Sequence, residues 1–238
     1  MHLIDRFTLR DMTECSAALR QFGSVSATAA DVAKLTVKYL YDNLADAETA
    51  APSCALVRFF KTESYRDLTP AQKEVALSLL PAGADTQALK CLTLLATTGI
   101  EDGWNEVERS QAHRAIPLPS PEFVREFPMI ARLLGQFGIP IEHLFEADES
   151  LIMDLAQTAF NVFHVADALG SPYVPAQDDF VKPYAIRSVL GFGGVLPTGE
   201  LYSVIIFSRS RIPRDTAEMF KTLALSVKLA LLAVNHRH

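Results

Sequence analysis

The run Ile186-Arg187-Ser188-Val189-Leu190-Gly191-Phe192-Gly193-Gly194-Val195, then Leu196-Pro197-Thr198-Gly199-Glu200, then Leu201-Tyr202-Ser203-Val204-Ile205-Ile206-Phe207-Ser208, decides the fold class. The two outer stretches have the composition and length of strands. The proline and glycine between them supply a hairpin turn. Gly191-Phe192-Gly193-Gly194 lies inside the first strand with no Lys-Ser/Thr pair behind it. Its glycines therefore read as a bulge or a close approach of backbone, and not as a phosphate cradle. Pro213 opens a closing helix with Asp215 and Glu218 in its first turn, where negative charge suits the helix dipole. Phe220, Leu223, Ala224, Val227, Leu231 and Val234 form one apolar stripe on that helix, and Leu225, Leu229 and Leu232 form another. A helix with two stripes can pack on a sheet and on a partner at once.

Upstream of the hairpin the same two periods recur. Thr28 to Leu44 reads as a helix with two apolar faces, and Pro52 ends the segment that follows it. Cys54 to Phe60 reads as a strand, and Thr69-Pro70 caps and opens a short helix through Leu80. Leu89 to Ala96 is a second strand, and Ala115 to Pro119 is held extended by its prolines. Ser120-Pro121-Glu122 starts a helix, and Met129 to Phe137 continues helically to Gly138. Phe160 to Val165 is a further strand, followed by a loop carrying Gly170, Pro172 and Pro175. Helices flanking a mostly antiparallel sheet make the class α+β.

Composition narrows the function. Of 238 residues, 49% are hydrophobic and 21% charged, enough for a large core without a metal or disulfide staple. Fourteen phenylalanines exclude intrinsic disorder. The formal net charge of −6 gives no basic footprint for nucleic acid, and the Arg209, Arg211 and Arg214 group reads as a solvated turn. No apolar run reaches membrane-spanning length. The start Met1-His2-Leu3-Ile4-Asp5-Arg6 lacks the pattern of a signal peptide, so a cytoplasmic location is expected. Cys15, Cys54 and Cys91 are odd in number and widely spaced, with no CxxC, which fits reduced thiols and no metal site.

The strand, glycine-bearing hairpin, second strand and closing helix between residues 180 and 232 resemble the end of a GAF domain. The whole chain resembles input modules found in front of PAS domains in bacterial sensor histidine kinases. The resemblance implies a six-stranded antiparallel sheet with helices on one side and a ligand cavity on the other. It also implies frequent dimerisation through terminal helices. On this reading residues 1–238 form a single GAF-like sensory domain with an N-terminal helical segment (1–27) and a helical insert (120–155). A signalling or dimer helix (213–234) closes it. The Asn-Lys-x-Asp signature of cyclic-nucleotide binders is missing, and no cysteine adjoins any of the six histidines, as bilin attachment requires.

Five residues are candidates to touch a ligand. His164 lies in the apolar run Asn161-Val162-Phe163-His164-Val165 before the loop expected to cover the cavity, where it could contact a ligand or ligate heme. Tyr184 and Arg187 flank the start of the clearest strand, Arg187 as an anion clamp. His113 precedes the extended segment, and Trp104 sits in a loop from which it could line a pocket. The adjacent Asp178 and Asp179 read as a solvated helix start and not as an acid–base pair. No catalytic constellation and no metal site emerge, and the cofactor is left undefined. The expected function is a non-enzymatic sensory module that binds a small ligand and signals through its terminal helices. A homodimer is expected, with output through a histidine kinase or another partner. The alternatives are a ligand-free interaction module, a heme sensor, or a methionine sulfoxide reductase using Cys54 and Cys91.

Overall fold

Three threonines start three helices by the same device. Thr8 caps α1 (Leu9–Val25), Thr28 caps α2 (Ala29–Asn43) and Thr69 caps α3 (Pro70–Ser78). In each, the hydroxyl accepts from the backbone N–H of the third helical residue. The side chain of that residue (Asp11, Asp31 or Gln72) accepts from the cap's own N–H. A capping box of this kind is worth about 1 kcal/mol and sets where the helix begins. The computed structural model describes residues 1–81, 83–110, 113–145, 149–158, 160–174 and 176–235.

A short parallel pair, β1 (His2–Leu3) and β2 (Leu44–Ala45), ties the N-terminus to the end of α2. The main sheet uses β3 (Cys54–Ser64), β4 (Lys90–Gly99), β5 (Ala115–Leu118), β6 (Phe160–Val165), β7 (Ser188–Val195) and β8 (Leu201–Ser208). Its order is β5-β4-β3-β8-β7-β6, and every neighbouring pair is antiparallel. Between β5 and β6 lie α4 (Pro121–Arg125), α5 (Pro128–Phe137) and α6 (Glu149–Thr158), in the region read as a helical insert. The chain then closes with α7 (Arg214–Asn235). The α+β class, with a six-stranded antiparallel sheet flanked by helices, is the one the sequence indicates. No helix among the described residues is long and apolar enough to cross a membrane.

Alternation along the strands divides the core in two. One face carries Val57, Phe59, Val162, Phe192, Tyr202, Val204 and Ile206 against Leu19 of α1, Leu40 of α2 and Phe220, Leu223 and Val227 of α7. The other carries Leu56, Phe60, Leu94, Phe163, Val189, Ile205 and Phe207, and receives Leu133, Leu134 and Phe137 of α5. Covering on both faces explains why β7 and β8 read as nearly continuous apolar runs, since all their residues are buried. The first stripe of α7 is buried, whereas Leu225 and Leu229 of the second remain exposed.

Local chemistry shifts some boundaries. The helical region after Ser120 breaks at Phe127, whose φ of −103° and ψ of 91° reflect the clash imposed by Pro128. Strand β7 starts at Ser188 and not at Ile186, because Ala185 takes a left-handed φ of 53° just before it. The Leu196–Glu200 turn forms as its residues suggest, with Leu196 N–H donating to Glu200 O (2.9 Å) and Gly199 N–H to Leu196 O (2.9 Å). At Gly193 a Cβ would lie 2.1 Å from the Tyr202 carbonyl oxygen and 2.9 Å from Phe137 Cε2. Close approach, and not a bulge, is therefore what the glycine-rich run provides.

Candidate functional site

The sheet face turned away from α1, α2 and α7 floors a cavity of about 400 Å³, within the range of small-molecule sites. Strand β3 contributes Leu56, Arg58 and Phe60 at alternate positions, and β8 contributes Leu201, Ser203, Ile205 and Phe207 in the same way. Leu92 and Ile116 extend the floor across β4 and β5, where they are directly paired. The start of α5 supplies a wall of Phe127, Pro128, Met129, Ile130 and Leu133. Val174, Ala176, Asp179 and Phe180 close the remaining side. The lining is thus mostly apolar, with a few polar groups among it.

Two local devices hold the cover in place. Asn105 grips the end of β4, its Oδ1 accepting from Gly99 N–H and its Nδ2 donating to Gly99 O, both at 3.1 Å. That grip lays the Trp104 ring against the backbone of Gly99, where a Cβ would come within 2.8 Å of it. The Gln177 side chain stitches the neighbouring loop, accepting from Gly170 N–H (2.8 Å) and donating to Ala168 O (3.0 Å) and Val174 O (2.6 Å). A single π-helical turn, Gln177–Val181, then turns Phe180 inward. Such turns recur at functional sites. Phe180 meets Phe207 edge-on at 5.0 Å and Trp104 at 5.5 Å, and Tyr184 packs on Trp104 at 4.6 Å. These rings close one end of the cavity.

Two of the five sequence candidates, Trp104 and His113, line the cavity, and Tyr184 stands behind them in the aromatic cluster. Desolvation by its surroundings, reinforced by the nearby Arg58 guanidinium, lowers the His113 imidazole to about 4, although the residue as a whole is exposed. His164 does not face the cavity. It shares the parity of Val162 on the α7 side of the sheet, and its Nε2 donates to the Ile212 carbonyl at 2.9 Å. That bond anchors the ring on the helix side of the sheet, and His164 is not among the residues that line the cavity. Arg187 is exposed and is not among the residues that line the cavity. Of the two adjacent acids, Asp179 faces the cavity mouth and Asp178 pairs with Lys182.

The residue that sequence reasoning passed over is Arg58. Its Nε is buried without a hydrogen-bond partner among the described residues, and burial lowers its pKa to about 10. The signal was present as a charge set among Cys54-Ala55-Leu56-Val57 and Phe59-Phe60, in phase with the inward residues Leu56 and Phe60.

Other groupings are already engaged. Cys15, Cys54 and Cys91 are free and buried, and burial raises their thiols to about 11, 12 and 12, away from nucleophilic thiolate at neutral pH. His2, Asp11 and Glu14 bring ligand-type atoms within 4.8 Å of one another. There Asp11 is held by His2 and by the Thr8 cap, and Glu14 by Arg10. A wider cleft of about 500 Å³ near Lys61, Glu63 and Glu200 is polar and carries its own Lys61–Glu200 ion pair at 3.5 Å.

No protein-family model and no curated protein sequence matches the chain. Among solved structures it is similar to the GAF domain of PixJ from Thermosynechococcus elongatus in its blue-light absorbing form. The two are 12% identical, the match covers 97% of this chain and 90% of that one, and the TM-score is 0.37.

Proposed function

We propose that the protein is a cytoplasmic, non-enzymatic sensory module that binds a small ligand in the cavity beneath Trp104 and His113. The single observation that carries this reading is the cavity itself. An apolar-lined space of about 400 Å³ lies on one face of the sheet, with Arg58, His113 and Ser203 among its lining. A merely structural core would close such a space, since empty volume among packed side chains is destabilising. On the opposite face α2 packs behind β3 and β4 and α7 behind β6 and β7, and Tyr202 of β8 donates its hydroxyl to the Ala224 carbonyl of α7 at 2.9 Å, so a change at the floor strands has a route to both helices. A ligand shifts that packing only by favouring one arrangement over another. The resemblance of residues 180–232 to GAF domains agrees with this use, with output through a histidine kinase or another partner.

A second reading has its own observation. Leu225 and Leu229 are 43% and 45% exposed on one side of α7, a face suited to a second copy of this chain. We place dimerisation there, either alongside ligand binding or as the whole function.

Native mass spectrometry of freshly purified protein, compared with its denatured mass, separates the two. A surplus mass per chain that disappears on denaturation supports the ligand-binding module. A dimer with no surplus overturns it in favour of the interaction module, and a bare monomer overturns both.

A further inference from the structure

Arg58 is an unusual element of an apolar floor. It stands between Leu56 and Phe60 on the inward side of β3, with Ile205 opposite it on β8 and Thr97 opposite it on β4. Residues directly opposite in an antiparallel ladder share a face with their Cβ atoms about 5 Å apart. Thr97 is itself buried, and its hydroxyl, like Arg58 Nε, has no hydrogen-bond partner among the described residues. No ion pair among the described residues includes Arg58. Burial lowers its basicity. A cation in such a place is costly unless something negative joins it.

The surroundings define what that something is. A guanidinium presents paired N–H donors in a planar fork that matches a carboxylate. The remaining wall is aliphatic and aromatic, from Leu92, Ile116, Met129 and Phe180. Among the described residues, the other ionisable side chains on the lining are His113 and Asp179. His113 is neutral at physiological pH, and Asp179 at the mouth repels a second negative group. One cation offsets the desolvation of one negative charge but not of two, which disfavours a phosphate dianion or a dicarboxylate.

Resting on the ligand-binding reading above, we infer that the cavity binds a monocarboxylate with an apolar body, its carboxylate held by Arg58 and its body against the apolar walls. Ser203, the hydroxyl-bearing residue of the floor, stands two residues from Ile205 on the same side of β8. It is placed to meet a polar substituent on the ligand.

Trp104, the single tryptophan, lines the cavity and reports on occupancy by its fluorescence. The test titrates ligand-stripped protein with 3-phenylpropanoate and octanoate, and separately with their amides, 3-phenylpropanamide and octanamide. The carboxylates should bind roughly ten- to a hundredfold more tightly than the amides, the range for a charge-assisted hydrogen-bonded pair. In Arg58→Met that preference should vanish with the amide affinities little changed. Arg58→Lys keeps the charge without the fork and should retain part of it, which guards against misreading a Met variant that folds poorly. Equal binding of acids and amides to the wild-type protein overturns the inference while leaving a ligand cavity in place. No response to either class also overturns it, and the surplus mass in native spectra then decides the ligand-binding reading independently. A preference that survives in Arg58→Met overturns the assignment of Arg58.

Discussion

Replacing Arg58 by methionine should make the ligand-free protein more stable. The side chain sits on the inward face of β3 among apolar neighbours, and its Nε has no partner among the described residues. The fall in its pKa from 12.5 to about 10 corresponds to about 3 kcal/mol of cost in holding the charge there, at ~1.4 kcal/mol per tenfold change in basicity. The residue is only partly buried by surface exposure, so screening reduces the net figure to about 1–2 kcal/mol. The sign follows from linkage. A base whose folded pKa lies below its unfolded value carries the full penalty at all pH below the folded value. The penalty fades only as pH rises from about 10 toward 12.5. At pH 7 it is therefore fully present. Methionine keeps an unbranched stem of similar reach against Leu56 and Phe60 and removes the charge. Urea unfolding of ligand-stripped wild type and Arg58→Met, followed by far-ultraviolet circular dichroism at pH 7, measures the difference. The midpoint should rise with an unchanged slope, so that the shift reports stability and not a change in the surface exposed on unfolding. Saturating 3-phenylpropanoate should reverse the order, because only the wild type gains from the anion. A Met variant less stable than wild type by 1 kcal/mol or more, without ligand, would show that Arg58 already has a partner and would refute the reasoning.

Five further outcomes are expected. Proton NMR of the His113 ring should give a midpoint near 4 without ligand, rising when a carboxylate occupies the cavity, and a ligand-free midpoint at 6.5 or above contradicts the placement of that ring. Because its folded pKa is lowered, the stability that neutral His113 contributes is present above pH 6.5 and is lost as pH falls from there toward 4. The urea midpoint of His113→Gln should accordingly vary less over that window than that of wild type. Gly193→Ala should destabilise by about 1–3 kcal/mol or more, since the new Cβ would meet the Tyr202 carbonyl at 2.1 Å and backbone must move, and a neutral result in thermal unfolding refutes that contact. Ala185→Gly should stabilise by up to about 1 kcal/mol by relieving a left-handed φ of 53°, offset in part by the greater freedom of glycine in the unfolded chain. If α7 joins two copies, Leu225→Glu combined with Leu229→Glu should convert a dimer to a monomer in sedimentation velocity, and an unchanged dimer places the interface elsewhere.

Much of this protein is legible one residue at a time. Local chemistry sets the helix starts at Thr28 and Thr69 and the turn at Leu196–Glu200, because caps and turns act over three or four residues. The alternating apolar strands and the striped last helix follow from the same short-range periods. With them comes the class of the fold, an antiparallel sheet covered by helices. The order β5-β4-β3-β8-β7-β6 was not contained in any local pattern, for it depends on which strands meet across long stretches of chain. The site was divided in the same way. Trp104 and His113 stand out in the sequence by residue type and reach the cavity. His164 is as conspicuous, yet the pairing of β6 with β7 turns it toward Ile212, because a strand's facing is fixed by its register. Arg187 is equally conspicuous, yet it lies exposed just before β7 and outside the cavity lining. Arg58 is a single charge in an apolar strand, and strand periodicity alone gives it a side without saying which side is hollow. Only the packing of α1, α2 and α7 on one face, and of α5 and the Gln177 loop over the other, made its side the cavity.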